Sequence, residues 1–185
     1  MYNAIFKRKT IFVFIGAILL SILFITFFFI AKNNTSKNIN VLNQYPEDFN
    51  FCLNFNTYGK NQIDTYKGTF TKDLVLDGTK TIDFHIPVSV KKDIYKMMMD
   101  INIISFPDRL KVDGMFVTPS CDYKLTTTIN GRVKNIIWED GFFTSMTENL
   151  PKENVKFLEL VKFISDYIYS TDEYKNMPKT NGGYD

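Results

Sequence analysis

The chain has 185 residues, with two cysteines, one histidine, one tryptophan and a formal charge of +2 at neutral pH. Lys7, Arg8 and Lys9 supply +3 before residue 32 with no acid among them, which leaves the remainder at −1. The basic pI near 8.4 therefore describes a short N-terminal tail. No basic stripe with interleaved aromatics points to a nucleic-acid partner.

Residues 11–31 run for 21 residues without a charge, broken only by Gly16, Ser21 and Thr26. A helix of that length spans about 31 Å, enough for a hydrocarbon core of about 30 Å. A cleaved signal peptide has a shorter apolar stretch and a small-x-small site. Here Phe29 stands where a small residue is needed, and no lipid-accepting cysteine follows the apolar run. The pattern predicts a retained transmembrane helix with the lipid bilayer as its partner. Lys7, Arg8 and Lys9 outweigh Lys32 and Lys37, so residues 1–10 are expected to stay in the cytoplasm and the rest outside. Residues 32–46 are polar and asparagine-rich, a tether rather than an element.

Residues 47–170 are expected to form one extracytoplasmic domain, and residues 171–185 a flexible tail. In "FNFCLNFN", Phe49, Phe51, Leu53 and Phe55 alternate with Asn50, Cys52, Asn54 and Asn56, which predicts a half-buried strand. "GTFTKDLVL" reads as a second strand and "KTIDFHI" as a third, with Ile82, Phe84 and Ile86 inward. Ser89 is placed to cap a helix over about 90–102 that buries Ile94, Met97, Met98 and Ile101. Asn130-Gly131 predicts a two-residue hairpin turn that sets Tyr123 opposite Trp138 and Leu125 opposite Ile136. A last helix, entered at Pro151, covers about 152–169 and buries Phe157, Leu158, Val161, Ile164 and Ile168. The order predicts an α+β fold: an N-terminal transmembrane helix, then an antiparallel sheet covered by two helices.

No catalytic, cofactor-binding or metal-binding residue is assigned. His85 has the parity opposite to Phe84 and Ile86 and points away from the core. A Cys–His pair of His85 with Cys52 or Cys121 is the nucleophilic arrangement left open. Cys52, His85 and Cys121 have no metal-ligand spacing, and there is no calcium loop or phosphate loop. Glu139 and Asp140 are adjacent on a strand end and so point to opposite faces, poorly placed to work together. The methionines of 97–99 read as core filling, and Trp138 as core rather than a stacking platform.

The stretches "NTYGKNQIDTYKGTFTKDLV", "TPSCDYKLTTTINGRVKNIIWEDG" and "NGGYD" resemble segments of small uncharacterised membrane-anchored or exported single-domain proteins of Gram-positive bacteria. The resemblance covers the outer part of the chain. It implies export and an α+β domain behind an N-terminal hydrophobic segment, and it implies no activity. Some of those proteins carry a lipoprotein cysteine that this chain lacks.

The leading expectation is a single-pass cell-membrane protein presenting a small domain that binds an extracytoplasmic protein or an envelope ligand. The alternatives are a tethered hydrolase using carboxylates from separate strands, and an envelope inhibitor or immunity-type protein. A cleft joining two or more of Asp64, Asp73, Glu139 and Asp140 would favour the hydrolase. Cys52 and Cys121 have opposite face parity, so both are expected as free thiols despite an oxidising location.

Overall fold

A computed structural model describes residues 26, 45–110, 118–139 and 150–184. The chain divides into two units, residues 1–44 and 45–185. The expected tail 1–10, the span 11–31 (apart from Thr26, which is helical) and the tether up to Gln44 lie outside the described residues. Among the described residues no helix is long and apolar enough to cross a membrane.

The second unit is built on six antiparallel strands: β1 Asn50–Phe55, β2 Asn61–Asp64, β3 Thr69–Val75, β4 Gly78–Asp83, β5 Tyr123–Ile129 and β6 Arg132–Trp138. Their order across the sheet is β4-β3-β2-β1-β5-β6. Helices α1 Val88–Asp100 and α2 Lys152–Ser170 pack on one face, and a single turn, α3 Asp172–Lys175, follows α2. The fold is α+β, with an antiparallel sheet and helices, as expected.

The alternation in β1 decides which face is buried. Phe49, Phe51, Leu53 and Phe55 are 0–1% exposed and meet Ile63 of β2, Phe70 of β3, Leu125 of β5 and Ile136 of β6 in one core. From the helices, Ile94 and Met98 of α1 and Phe157, Leu160 and Ile164 of α2 close it. Each such side chain removed from water contributes about 1.5–3 kcal/mol. Trp138 belongs to this core, 5.6 Å from the ring of Tyr123 and 6.2 Å from that of Phe157.

The Asn130-Gly131 turn has both residues at positive φ, 50° and 72°, and the β5–β6 register pairs Tyr123 with Trp138 and Leu125 with Ile136. The carboxylate of Asp48 reinforces it by accepting the amide N–H groups of Asn130 and Gly131.

Three expectations are corrected. A further strand, β2, lies between the first two expected ones; its residues Asn61, Gln62, Ile63 and Asp64 do not alternate in polarity. Ser89 does not cap α1: the helix starts at Val88 after Pro87, without a side-chain cap, and Ser89 is exposed in its first turn. Residues 171–184 do not hang free. Beyond the start of β2 the open edge of β3 is completed by the tail: Asn181 N–H donates to the Leu74 carbonyl, and Leu76 N–H donates to the Asn181 carbonyl. Met177 is buried in the core.

Candidate functional site

No described helix packs on the other face of the sheet. Its floor is the polar parity of the strands: Asn50, Cys52 and Asn54 of β1, Gln62 of β2, Thr126 and Thr128 of β5. Two exposed tyrosines from turns stand at its ends. Tyr66, 46% exposed, reaches Thr128 by a hydroxyl contact of 2.8 Å, and Tyr58, 39% exposed, stands beyond β1 near Gly59. Tyr58 can take that position because Asn56, Tyr58 and Gly59 all have positive φ, a tight reversal closed by Gly59 N–H donating to the Asn56 carbonyl.

At the Tyr58 end the floor deepens into a depression of about 500 Å³ lined by Asn54, Tyr58, Gln62, Asp122, Lys124 and Glu139, among others. Asn54 Nδ2 donates to the Gly59 carbonyl at 3.0 Å, and Gln62 Nε2 donates to Asn54 Oδ1 at 3.2 Å. This chain of amides fixes both side chains. It leaves Gln62 Oε1 and the Lys124 ammonium without a protein partner among the described residues. Glu139 is held by Arg109. The depression thus offers positioned donors and acceptors of mixed sign beside one aromatic side chain.

The expected carboxylates do not converge. Asp64 is 5% exposed, but its oxygens are spent on the turn after β2: Oδ1 accepts the N–H groups of Tyr66 and Lys67, and Oδ2 faces Lys67 Nζ at 3.4 Å. Asp73 accepts Val75 N–H and the Tyr184 hydroxyl at the far edge of β3. Glu139 lines the depression, and Asp140 lies outside the described residues. No described cavity is lined by two of these four. A two-carboxylate mechanism needs an acid and a base facing one substrate, and that geometry is missing among the described residues.

Neither thiol is fully buried and neither belongs to the core. Cys52 sits on the open face between Asp64 of β2 and Thr126 of β5, and Cys121 pairs with Thr57 past the end of β1. The two are unbridged. Burial, and then the negative charge of Asp64, push the Cys52 thiol up to about 11, the opposite of what a nucleophilic cysteine needs. Burial also raises Cys121. His85 is exposed after β4, its ring lying over Gly68; a Cβ there would come within 2.3 Å of Cε1. Among the described residues no group of three or more His, Cys, Asp or Glu side chains could hold a metal ion.

Tyr58 and Tyr66 were not singled out by sequence. Both lie in turns outside any hydrophobic periodicity, and only the spacing of polar side chains along β1 hinted at an open face. No protein-family model matches the chain, and no curated protein matches it.

Proposed function

We propose that this chain is a single-pass membrane protein that displays a ligand-binding domain outside the cell, and that the ligand is a hydroxyl-rich glycan of the envelope. Residues 11–31 span the bilayer in this reading, with residues 1–10 inside and residues 32–46 as the tether. The length and lack of charge of residues 11–31 support the anchor.

The observation that carries the binding reading is the depression of about 500 Å³ between fixed amides and an exposed tyrosine, on the sheet face where no described helix packs. Amide side chains both donate and accept, as sugar hydroxyls do. A tyrosine face packs against the apolar side of a sugar ring while its hydroxyl stays wet. The sequence beyond residue 31 carries only −1, so a polyanion gains no long-range attraction.

Co-sedimentation of the purified full-length protein with insoluble envelope polysaccharide tests this. Tyr58→Ala and Gln62→Ala are each expected to weaken binding about tenfold, which corresponds to about 1.4 kcal/mol. Unchanged binding in both variants would remove the site.

A further inference from the structure

A second cavity, independent of the open face, lies where the C-terminal tail crosses the end of the sheet. It measures about 210 Å³, several times the roughly 30 Å³ that one water occupies in the liquid. Asn56, Asn61, Lys72, Tyr169, Tyr174 and Thr180 contribute to its lining.

Lys72 is the unusual member. It lies on the core parity of β3, between Phe70 and Leu74, and is only 8% exposed. Its Nζ donates to the Pro178 carbonyl at 2.9 Å and lies 4.5 Å from the centroid of the Tyr174 ring. An ammonium group has three donors, so one remains after the carbonyl and the ring. Lys72 forms no ion pair among the described residues. A buried cation without a counter-charge is costly, several kcal/mol in general terms, and such groups are paired in folded proteins.

Asp73, the one acid among the described residues of the cavity wall, is committed elsewhere. Its carboxylate takes the hydroxyl of Tyr184, which in turn accepts from Lys60 Nζ. The Asp73 charge is therefore balanced by Lys60 across Tyr184, and Lys72 is left over. A second donor lines the same cavity. Tyr169 accepts from Asn56 Nδ2 at 2.9 Å, so its own hydroxyl proton is free to be donated. Burial keeps that phenol protonated, its pKa being raised.

We propose that this cavity is a binding site for a small oxyanion, a carboxylate or a phosphate, held by Lys72 Nζ and the Tyr169 hydroxyl beneath the tail. The anion supplies a counter-charge that no described residue gives Lys72.

The test uses the full-length protein, melted in acetate, inorganic phosphate or chloride at matched ionic strength. The expected result is a saturable rise in Tm with acetate or phosphate, about 3–5 °C at ten times Kd, and none with chloride. Whichever of the two saturates identifies the anion. Lys72→Met keeps the length of the side chain without its charge and is expected to fold, because replacing buried charges by apolar groups is often neutral. In that variant the rise is expected to vanish. No saturable response, or an equal response in Lys72→Met, overturns the site. If Lys72→Met does not fold, amide NMR shifts of the unmutated protein decide it. Saturable shifts at Thr57, Asn61 and Thr180 support the site, and their absence with either anion overturns it.

Discussion

Tyr184 and Asp73 stand 111 positions apart in the chain, yet the Tyr184 hydroxyl donates to the Asp73 carboxylate at 2.7 Å. The same hydroxyl accepts from Lys60 Nζ at 2.7 Å, and this bond holds Lys60 above the ordinary lysine range. One phenol thus latches the last residues of the chain to the edge of β3. Tyr184→Phe keeps the ring, which packs edge-on to Tyr58 at 5.4 Å, and deletes only the hydroxyl. The expected loss is about 1 kcal/mol, the net worth of a partly exposed hydrogen bond to a charged group. Urea unfolding of the two forms measures it. Identical midpoints would mean that the latch contributes nothing to the fold.

The hairpin turn gives a cleaner case. Nothing lies within 4 Å of a Cβ added at Gly131, so crowding cannot explain any loss there. Its φ of 72° can. Gly131→Val forces a β-branched residue into the left-handed region and is expected to cost about 1 kcal/mol or more. A thermal melt checks this, and an unshifted midpoint would contradict the turn geometry.

Cys52 and Cys121 are expected to remain thiols, so alkylation of the denatured, unreduced protein should add two adducts. The native protein should discriminate by pH. Thiolate is the reactive form, and Cys52 is raised from 9.0 to about 11. At pH 9 its thiolate fraction falls from about one half in the unfolded chain to about one in a hundred in the folded one. Native alkylation of Cys52 should therefore be slow at pH 7–9 and accelerate toward pH 11. The raised folded pKa also means that stability from this group is present below pH 9 and is lost as pH climbs from 9 toward 11. Rapid modification of native Cys52 at pH 8 would show that the thiol is not held in this way.

The proposed anchor predicts an uncleaved chain. Intact-mass measurement of the protein recovered from membranes should include residues 1–31, and a mature form beginning near Asn33 would end the anchor reading.

How much of this was written in the sequence depends on the range over which each element is decided. β1 was legible because Phe49, Phe51, Leu53 and Phe55 alternate with polar residues, and burial then follows from parity alone. The Asn130-Gly131 turn was legible because positive φ at two successive residues selects those residue types. β2 was not: Asn61 and Asp64 are poor strand formers, and the segment is held by its pairing with β1 and β3. The tail escaped for the same reason, since its fixing bonds run to Leu74 and Leu76, far away in sequence. The open face was half legible. The outward row of Asn50, Cys52 and Asn54 could be read, but Gln62 and Tyr58 join it only once β2 and its preceding turn are in place.

Trp138 carries the last prediction. Its ring is wholly buried among aromatic neighbours, and its Nε1 is the one buried side-chain polar atom without a hydrogen-bond partner among the described residues. Two opposing effects therefore meet in one side chain. Truncation to alanine leaves a large void beside Tyr123 and Phe157 and is expected to cost about 3–5 kcal/mol. Trp138→Phe behaves differently, because it also removes the unsatisfied donor, whose burial costs about 1–3 kcal/mol. The smaller void left by phenylalanine offsets much of that gain, so the net change is expected to stay within about 1 kcal/mol. The comparison of the two variants in denaturant is the measurement. If Trp138→Phe loses nearly as much as Trp138→Ala, the indole N–H has an acceptor in solution and is not an unsatisfied donor.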